Sequence, residues 1–154
     1  MFVVGAVLPE QKSFTKILSS LCKEVLVKKD ASQADIVVQD SARRPLLAPQ
    51  SAVLLLNADK RYESAQFDKE IEVISCGINS KATVTASSIE KVEGSVVFNL
   101  CVQRKMLALD GREIEPQEIK VCIEHENCSL FCMLAAVTCG LLCGKTAQKA
   151  MKTS

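Results

Sequence analysis

The chain has little that nucleic acids or membranes would bind. None of its 154 residues is tryptophan, and Tyr62 is its one tyrosine, so stacking platforms for bases are scarce. Its 19 basic and 18 acidic side chains give a net charge of +1, which creates no basic field for phosphates or anionic lipid. The apolar stretch Leu130–Cys143 is too short to span a bilayer. We therefore expect neither a nucleic-acid partner nor a membrane partner.

The N-terminus also lacks the features of a secretory leader. Met1–Val4 already begins an apolar strand, with no basic region and no cleavable segment before it. The chain has eight cysteines, but at this length it can build a core without disulfides. We therefore expect reduced thiols and a cytoplasmic location.

The first half of the chain alternates between apolar runs and a helical period. Ser13–Lys23 places its apolar residues on one helical face. Glu24–Val27 is either the end of this helix or a short strand, and Tyr62–Lys69 suggests a second, short helix. The strands predicted from continuous apolar runs are Phe2–Val7, Ile36–Val38, Val53–Leu56 and Glu72–Ser75. Such alternation predicts a largely parallel sheet.

The second half changes to short strands separated by turns, followed by a long apolar helix over Cys128–Cys143. The predicted strands are Thr83–Ile89, Ser95–Leu100, Lys105–Leu109 and Ile119–Ile123. We predict one α/β domain over residues 1–146, followed by a short basic tail over 147–154. Its sheet would be mostly parallel and Rossmann-like, with flanking helices and an antiparallel β-extension.

The segment after the first strand has the layout of a phosphate-binding loop, since a short loop leads to Lys12 and Ser13 at the start of a helix. Such a loop needs glycines, which let backbone amides approach the phosphates. Here Pro9 has no N–H, and Glu10 places negative charge where a phosphate would sit. Lys12 and Ser13 are then either a residual phosphate site at a helix N-terminus, or a solvated lysine and a helix N-cap.

The order of these elements and their local residues resembles the central ATP-binding domain of the Mur ligases. That family opens the domain with G-x-T-G-x-N-G-K-T-[ST]-T, which lies over Gly5–Thr15 without gaps. Leu8 and Gln11 replace the two loop glycines. The positions that agree or nearly agree are Gly5, Lys12, Ser13 and Thr15.

Later segments carry the resemblance further. Val37–Arg43 is similar to the family's strand that ends in a magnesium-binding glutamate, with neutral Gln39 at that position. Ala52–Asp59 is similar to its V-L-N-A-D-D strand, where Asn57 and Asp59 match. Gly94–Leu100 looks like its G-x-x-F-x-L hairpin strand.

The apolar helix lies where the family has G-x-H-N-x-x-N-x-x-A-A, with Ala135 and Ala136 as the anchor. Cys128, Ser129 and Cys132 replace the histidine and asparagines that meet the nucleotide. The resemblance covers Phe2–Gly144, without the family's two other domains and with a large internal deletion.

The resemblance implies a non-catalytic relative of amide-forming ligases that acts through a protein partner or as a homodimer, with a link to bacterial cell-wall processes. It also implies that no cofactor is bound. The competing hypothesis is a nucleotide- or anion-binding protein, or an enzyme remnant, that keeps a weak ATP or anion site. The residues of that site would be Lys12, Ser13, Asn57 and Asp59.

Asn57 and Asp59 end a strand, and ligands of α/β sheets bind near strand ends. The alternative is a turn in which both side chains satisfy local backbone groups. Arg43 and Arg44 are further anion candidates, or else solvated charges on a proline-flanked loop.

Four cysteines of the apolar helix share one face and, with Cys122 and His125, could suggest a metal site; they are Cys128, Cys132, Cys139 and Cys143. Sulfurs spread over more than four turns of one straight helix do not converge on a single ion. We therefore expect these cysteines to pack as small hydrophobic residues, with no zinc or iron–sulfur site. Gly140–Thr146 resembles a Walker A motif but has the wrong glycine spacing, and predicts a glycine-capped helix end.

Overall fold

The computed structural model describes residues 1–30, 32–40, 53–60, 71–124, 127–145 and 150–153. These ranges contain eleven strands and two helices. In chain order they are β1 (Phe2–Val7), α1 (Gln11–Leu21), β2 (Val25–Lys28), β3 (Ile36–Gln39), β4 (Val53–Asn57), β5 (Glu72–Cys76), β6 (Val84–Val92), β7 (Ser95–Val102), β8 (Met106–Leu107), β9 (Glu113–Ile114), β10 (Gln117–Glu124), α2 (Leu130–Leu142) and β11 (Ala150–Thr153).

Nine of the strands form one sheet in the order β11-β10-β7-β6-β5-β4-β3-β1-β2. All pairs from β2 across to β6 are parallel. The β6–β7 and β7–β10 pairs are antiparallel, and β11 runs parallel to β10. β8 and β9 form a separate two-stranded ribbon. The predictions of one α/β domain, a mostly parallel sheet and an antiparallel extension are confirmed.

Some boundaries differ from the sequence-based prediction. α1 begins at Gln11, two residues before Ser13, and Glu10 is its N-cap residue. The ambiguous segment after α1 is strand β2, paired with β1 from Phe2 onward. β11 lies where a basic tail was predicted, since backbone pairing with β10 needs no apolar run. The predicted helix Tyr62–Lys69 lies outside the described residues.

Helix α2 is apolar on all sides, and every residue from Phe131 to Leu142 is buried. A helix of this kind must be enclosed by other elements. The sheet and α1 cover it, and buried residues of the β8–β9 segment belong to the same core cluster: Met106, Ala108 and Ile114. Gly144 has φ +109°, and the Lys145 N–H donates to the Gly140 carbonyl at 2.9 Å, as in a Schellman motif. The predicted glycine cap is therefore confirmed.

All eight cysteines are free thiols. Cys132 and Cys139 are fully buried in α2, as the prediction that these cysteines pack in the core requires. Cys128 precedes the helix and is half-buried. Burial raises the pKa of the Cys76 thiol to about 12 and that of Cys139 well above its usual range, so both remain protonated near neutral pH.

These buried thiols predict a loss of stability in alkali. In the unfolded chain a thiol ionises near pH 8.5–9, so between about pH 9 and 12 the unfolded state binds fewer protons than the native state. The free energy of unfolding should fall as pH rises, by on the order of 1–2 kcal/mol for Cys76 at pH 10. Urea titrations at pH 7.5 and pH 10 measure this. Cys76→Ala should reduce the pH-dependent loss by about that amount; a loss in this variant equal to that of the wild type would contradict the prediction.

Candidate functional site

The loop that resembles a phosphate-binding loop makes a specific contact with helix α2. Ser129, the N-cap of α2, donates its backbone N–H to Glu10 Oε2 at 2.8 Å and its hydroxyl to Glu10 Oε1 at 2.5 Å. The same hydroxyl accepts the Cys132 N–H at 3.2 Å. A carboxylate is favourable at a helix N-terminus, where backbone N–H groups and the helix dipole attract negative charge. Glu10 thus acts as an anion supplied by the chain itself.

Helix α1 has a different N-terminus. Its N-cap residue is Glu10, whose side chain makes no capping hydrogen bond to α1, and its first turn contains no acidic residue. Ser13 is the third residue of the helix, so the interpretation of Ser13 as the N-cap is wrong: the helix starts two residues earlier.

A cleft of about 680 Å³ lies beside this turn. Lys12 and Ser13 both line it, together with Lys16, Lys29 and Asn127. Three lysines and one glutamate therefore contribute charge to the cleft, and Glu10, the glutamate, already binds Ser129. The arrangement could attract an anion, although the donors are long side chains and not a cradle of backbone amides.

Asn57 lies elsewhere, at the carboxyl end of β4. Its side-chain amide donates to Asp40 Oδ1 at 2.8 Å, and the Lys60 ammonium lies 3.0 Å from the same oxygen. Asp40 directly follows β3 and its side chain is largely buried. The three side chains form a cluster that joins the ends of two neighbouring parallel strands.

Asp59 belongs to the adjoining turn. Its own N–H donates to Asn57 Oδ1 at 2.9 Å, and its carboxylate accepts the N–H groups of Ile78 at 2.8 Å and Asn79 at 2.9 Å. Asp59 thereby orders the turn after β5. These are the contacts expected of a turn in which Asx side chains satisfy local backbone groups.

The structure therefore divides the predicted site. Lys12 and Ser13 share the cleft beside α1, whereas neither Asn57 nor Asp59 is among the described residues that line it. Gln39, at the position of the magnesium-binding glutamate in the resemblance, is fully buried at the end of β3. Arg43 and Arg44 lie outside the described residues.

Sequence reasoning missed the contact between Glu10 and Ser129 and the one between Asp40 and Lys60. A serine directly before an apolar helix is an N-cap signal, so the capping role of Ser129 was open to prediction. The contact of Ser129 with Glu10 was not open to prediction, because the two residues are 119 positions apart and no local pattern connects them.

Within the described ranges, no group of three or more His, Cys, Asp or Glu side chains could hold a metal ion. His125 lies outside those ranges. No helix of the described chain is both long and apolar enough to cross a membrane. No protein-family model matches the chain, and no match was found among curated proteins.

Replacing Glu10 tests the contact with α2. Glu10→Ala removes both acceptors from Ser129, so we expect a loss of about 1 kcal/mol in the free energy of unfolding, typical for a lost helix cap. Hydrogen exchange should accelerate at amides in the first turn of α2, Phe131 to Met133. Glu115→Ala, an exposed acidic residue on a different segment, is the matched control and should change neither quantity. Unchanged exchange in the Glu10 variant would contradict the assigned role.

Gly77 provides a test of Asp59. A Cβ at Gly77 would lie 2.5 Å from Asp59 Oδ2, so Gly77→Ala must displace a carboxylate that holds two backbone N–H groups. We expect a loss of about 1–3 kcal/mol, measured by urea unfolding. Gly140→Ala is the control, since its Cβ would meet Leu21 at an ordinary 3.5 Å. Equal stability of the two variants would contradict a structural role for Asp59.

Proposed function

We propose that this chain is a non-catalytic relative of the Mur ligase central domain and that it acts through protein–protein contacts. The contact between Glu10 and Ser129 carries the proposal. The loop places the Glu10 carboxylate at the N-terminus of α2, where it accepts the Ser129 N–H and hydroxyl. A phosphate near this position would be repelled by that carboxylate.

Other positions support the loss of nucleotide chemistry. Gln39 provides a neutral side chain where the resemblance implies a magnesium ligand, and Asp59 already accepts two backbone hydrogen bonds. Leu8 and Gln11 add side-chain bulk to the loop, and Pro9 removes an amide donor. Each mismatch typically weakens binding by ~1–3 kcal/mol. Together they could remove a micromolar affinity, which corresponds to about 8 kcal/mol.

The family assignment and the Rossmann-like class are parts of this proposal. The unit of β1, loop, α1 and the neighbouring parallel strand β2 supports them. The order β2-β1-β3-β4-β5 corresponds to the doubly wound order 2-1-3-4-5 and differs from the Rossmann order 3-2-1-4-5-6. The link to bacterial cell-wall processes and the cytoplasmic location rest on the resemblance.

In the part of the chain that the structure describes, the sheet has edges that favour contact with another protein. β2 forms one edge, and its Leu26 is 49% exposed. β6 pairs with β5 at one position, Cys76 with Val84, and its far half exposes Ile89 and Val92. Edge strands present unpaired backbone groups that a strand of another chain can bind. That strand could come from a second copy of this chain, in a homodimer, or from a different protein.

One observation favours the competing function, a weak anion site. Among the described residues, Lys12 and Lys29 line the cleft beside the acid-free first turn of α1 and have no ion-pair partner. Such a site would hold phosphate groups by charge and would be sensitive to salt.

Titration with ATP and magnesium separates the two functions. Isothermal calorimetry should give no saturable heat below millimolar concentration, and the melting temperature should not rise, because only ligand that binds the native state stabilises it. A low-micromolar dissociation constant that Lys12→Ala weakens, with Lys91→Ala as control, would support the anion site and overturn the non-catalytic proposal. Light scattering at increasing protein concentration tests the homodimer separately.

A further inference from the structure

The C-terminal ends of α1 and α2 meet at the amino edge of the sheet. A Cβ on Gly140 would lie 3.5 Å from Leu21 Cβ, so the two backbones approach closely where the helices end. Cys22 and Cys143 are the C-caps of these helices. The Cys22 thiol donates to the Cys143 carbonyl oxygen at 4.0 Å, which brings together two cysteines 121 positions apart in the chain.

Solvent reaches this pair. A groove of about 450 Å³ opens beside both cysteines, and its wall includes Lys23, Glu24 and Gly144. Cys22 is half-buried and Cys143 is 6% exposed. Cys22 has already left the helix, with φ −139° and ψ 120°, so its side chain is not held in a helical turn.

Five of the other six thiols lack this combination of proximity and access. Cys76, Cys132 and Cys139 are fully buried. Cys101 faces Glu118 across the β7–β10 pair, whereas Cys122 faces Val97. The offset of four residues separates Cys101 from Cys122 by roughly 13 Å along the strands, beyond the reach of a disulfide.

We propose that Cys22 and Cys143 form an intramolecular disulfide when the protein meets a small-molecule disulfide such as oxidised glutathione. The Cys22 thiolate attacks one glutathione sulfur, forms a mixed disulfide and releases one glutathione thiolate. The Cys143 thiolate then attacks the Cys22 sulfur, which forms the protein disulfide and releases the second glutathione. The protein loses two protons and two electrons, and one molecule of oxidised glutathione becomes two of the reduced form.

The second step should be slow at neutral pH. Burial, with smaller contributions from Cys22 and Asp35, raises the pKa of the Cys143 thiol to about 12. The reactive thiolate is therefore scarce, and its population rises about tenfold for each pH unit below that value. Closure of the mixed disulfide should accelerate accordingly from pH 7.5 to pH 8.5. Once formed, the bond closes a long loop of the unfolded chain and should raise the melting temperature.

The experiment treats the folded, reduced protein with oxidised glutathione at pH 8.5, then unfolds it and alkylates the remaining thiols. Mass spectrometry of the wild type should show six alkylated thiols of the eight, a loss of two hydrogens and no attached glutathione. Cys143→Ala should stop at one glutathionyl group on Cys22, and Cys22→Ser should form no intramolecular bond. Cys101→Ser and Cys122→Ser, the controls, should still lose two thiols.

Melting curves under reducing conditions establish that each variant is folded, and Cys143→Ser is a second variant should the alanine fail. Eight alkylated thiols in the treated wild type would overturn the proposal. So would an intramolecular disulfide that persists in a folded Cys22 or Cys143 variant.

Discussion

Helix α2 has no charged residue and no polar face, and the protein is arranged around its enclosure. The sheet, α1 and the β8–β9 segment each cover part of its surface. Burial of the helix sides does not satisfy the two helix ends. There, the first N–H groups and the last C=O groups lack partners within the helix. At the C-terminal end the Leu109 N–H donates to the Leu142 carbonyl at 2.9 Å, and Arg112 donates to the Leu141 carbonyl at 3.2 Å. At the N-terminal end, the partner is the carboxylate of Glu10.

The need for a partner at the N-terminal end of α2 explains why the loop after β1 contains Glu10. Both α1 and α2 begin at the same edge of the sheet, so two positive dipole ends lie near each other. Glu10 neutralises the one at α2. Leu8 packs against the main core cluster, which a glycine at that position would not do. Two residues that depart from the pattern of a phosphate-binding loop, Leu8 and Glu10, therefore have structural roles in this chain.

Sequence patterns predicted the elements that depend on local burial. The bounds of β1 agree residue for residue with the apolar run, because a strand buried on both faces is continuously apolar. The edges were harder: β2 could not be distinguished from a helix end, and β11 was missed because pairing with β10 depends on backbone groups of a distant segment. The contact between Glu10 and Ser129 could not be predicted either, because the two residues lie far apart in the chain.

At the carboxyl edge of the parallel strands, the polar side chains bind groups of the protein itself. Ligands bind at this edge in α/β proteins because strand-end loops present polar groups that are not used by the ladder. Here Asp40 is held by Asn57 and Lys60, and Asp59 by the amides of Ile78 and Asn79. Each group therefore has an internal partner, and a ligand would have to break these bonds before forming its own. The cleft beside α1 is different, since Lys12 and Lys29, among the described residues that line it, have no ion-pair partner; any anion affinity of the chain is expected there and not at the ends of β3 and β4.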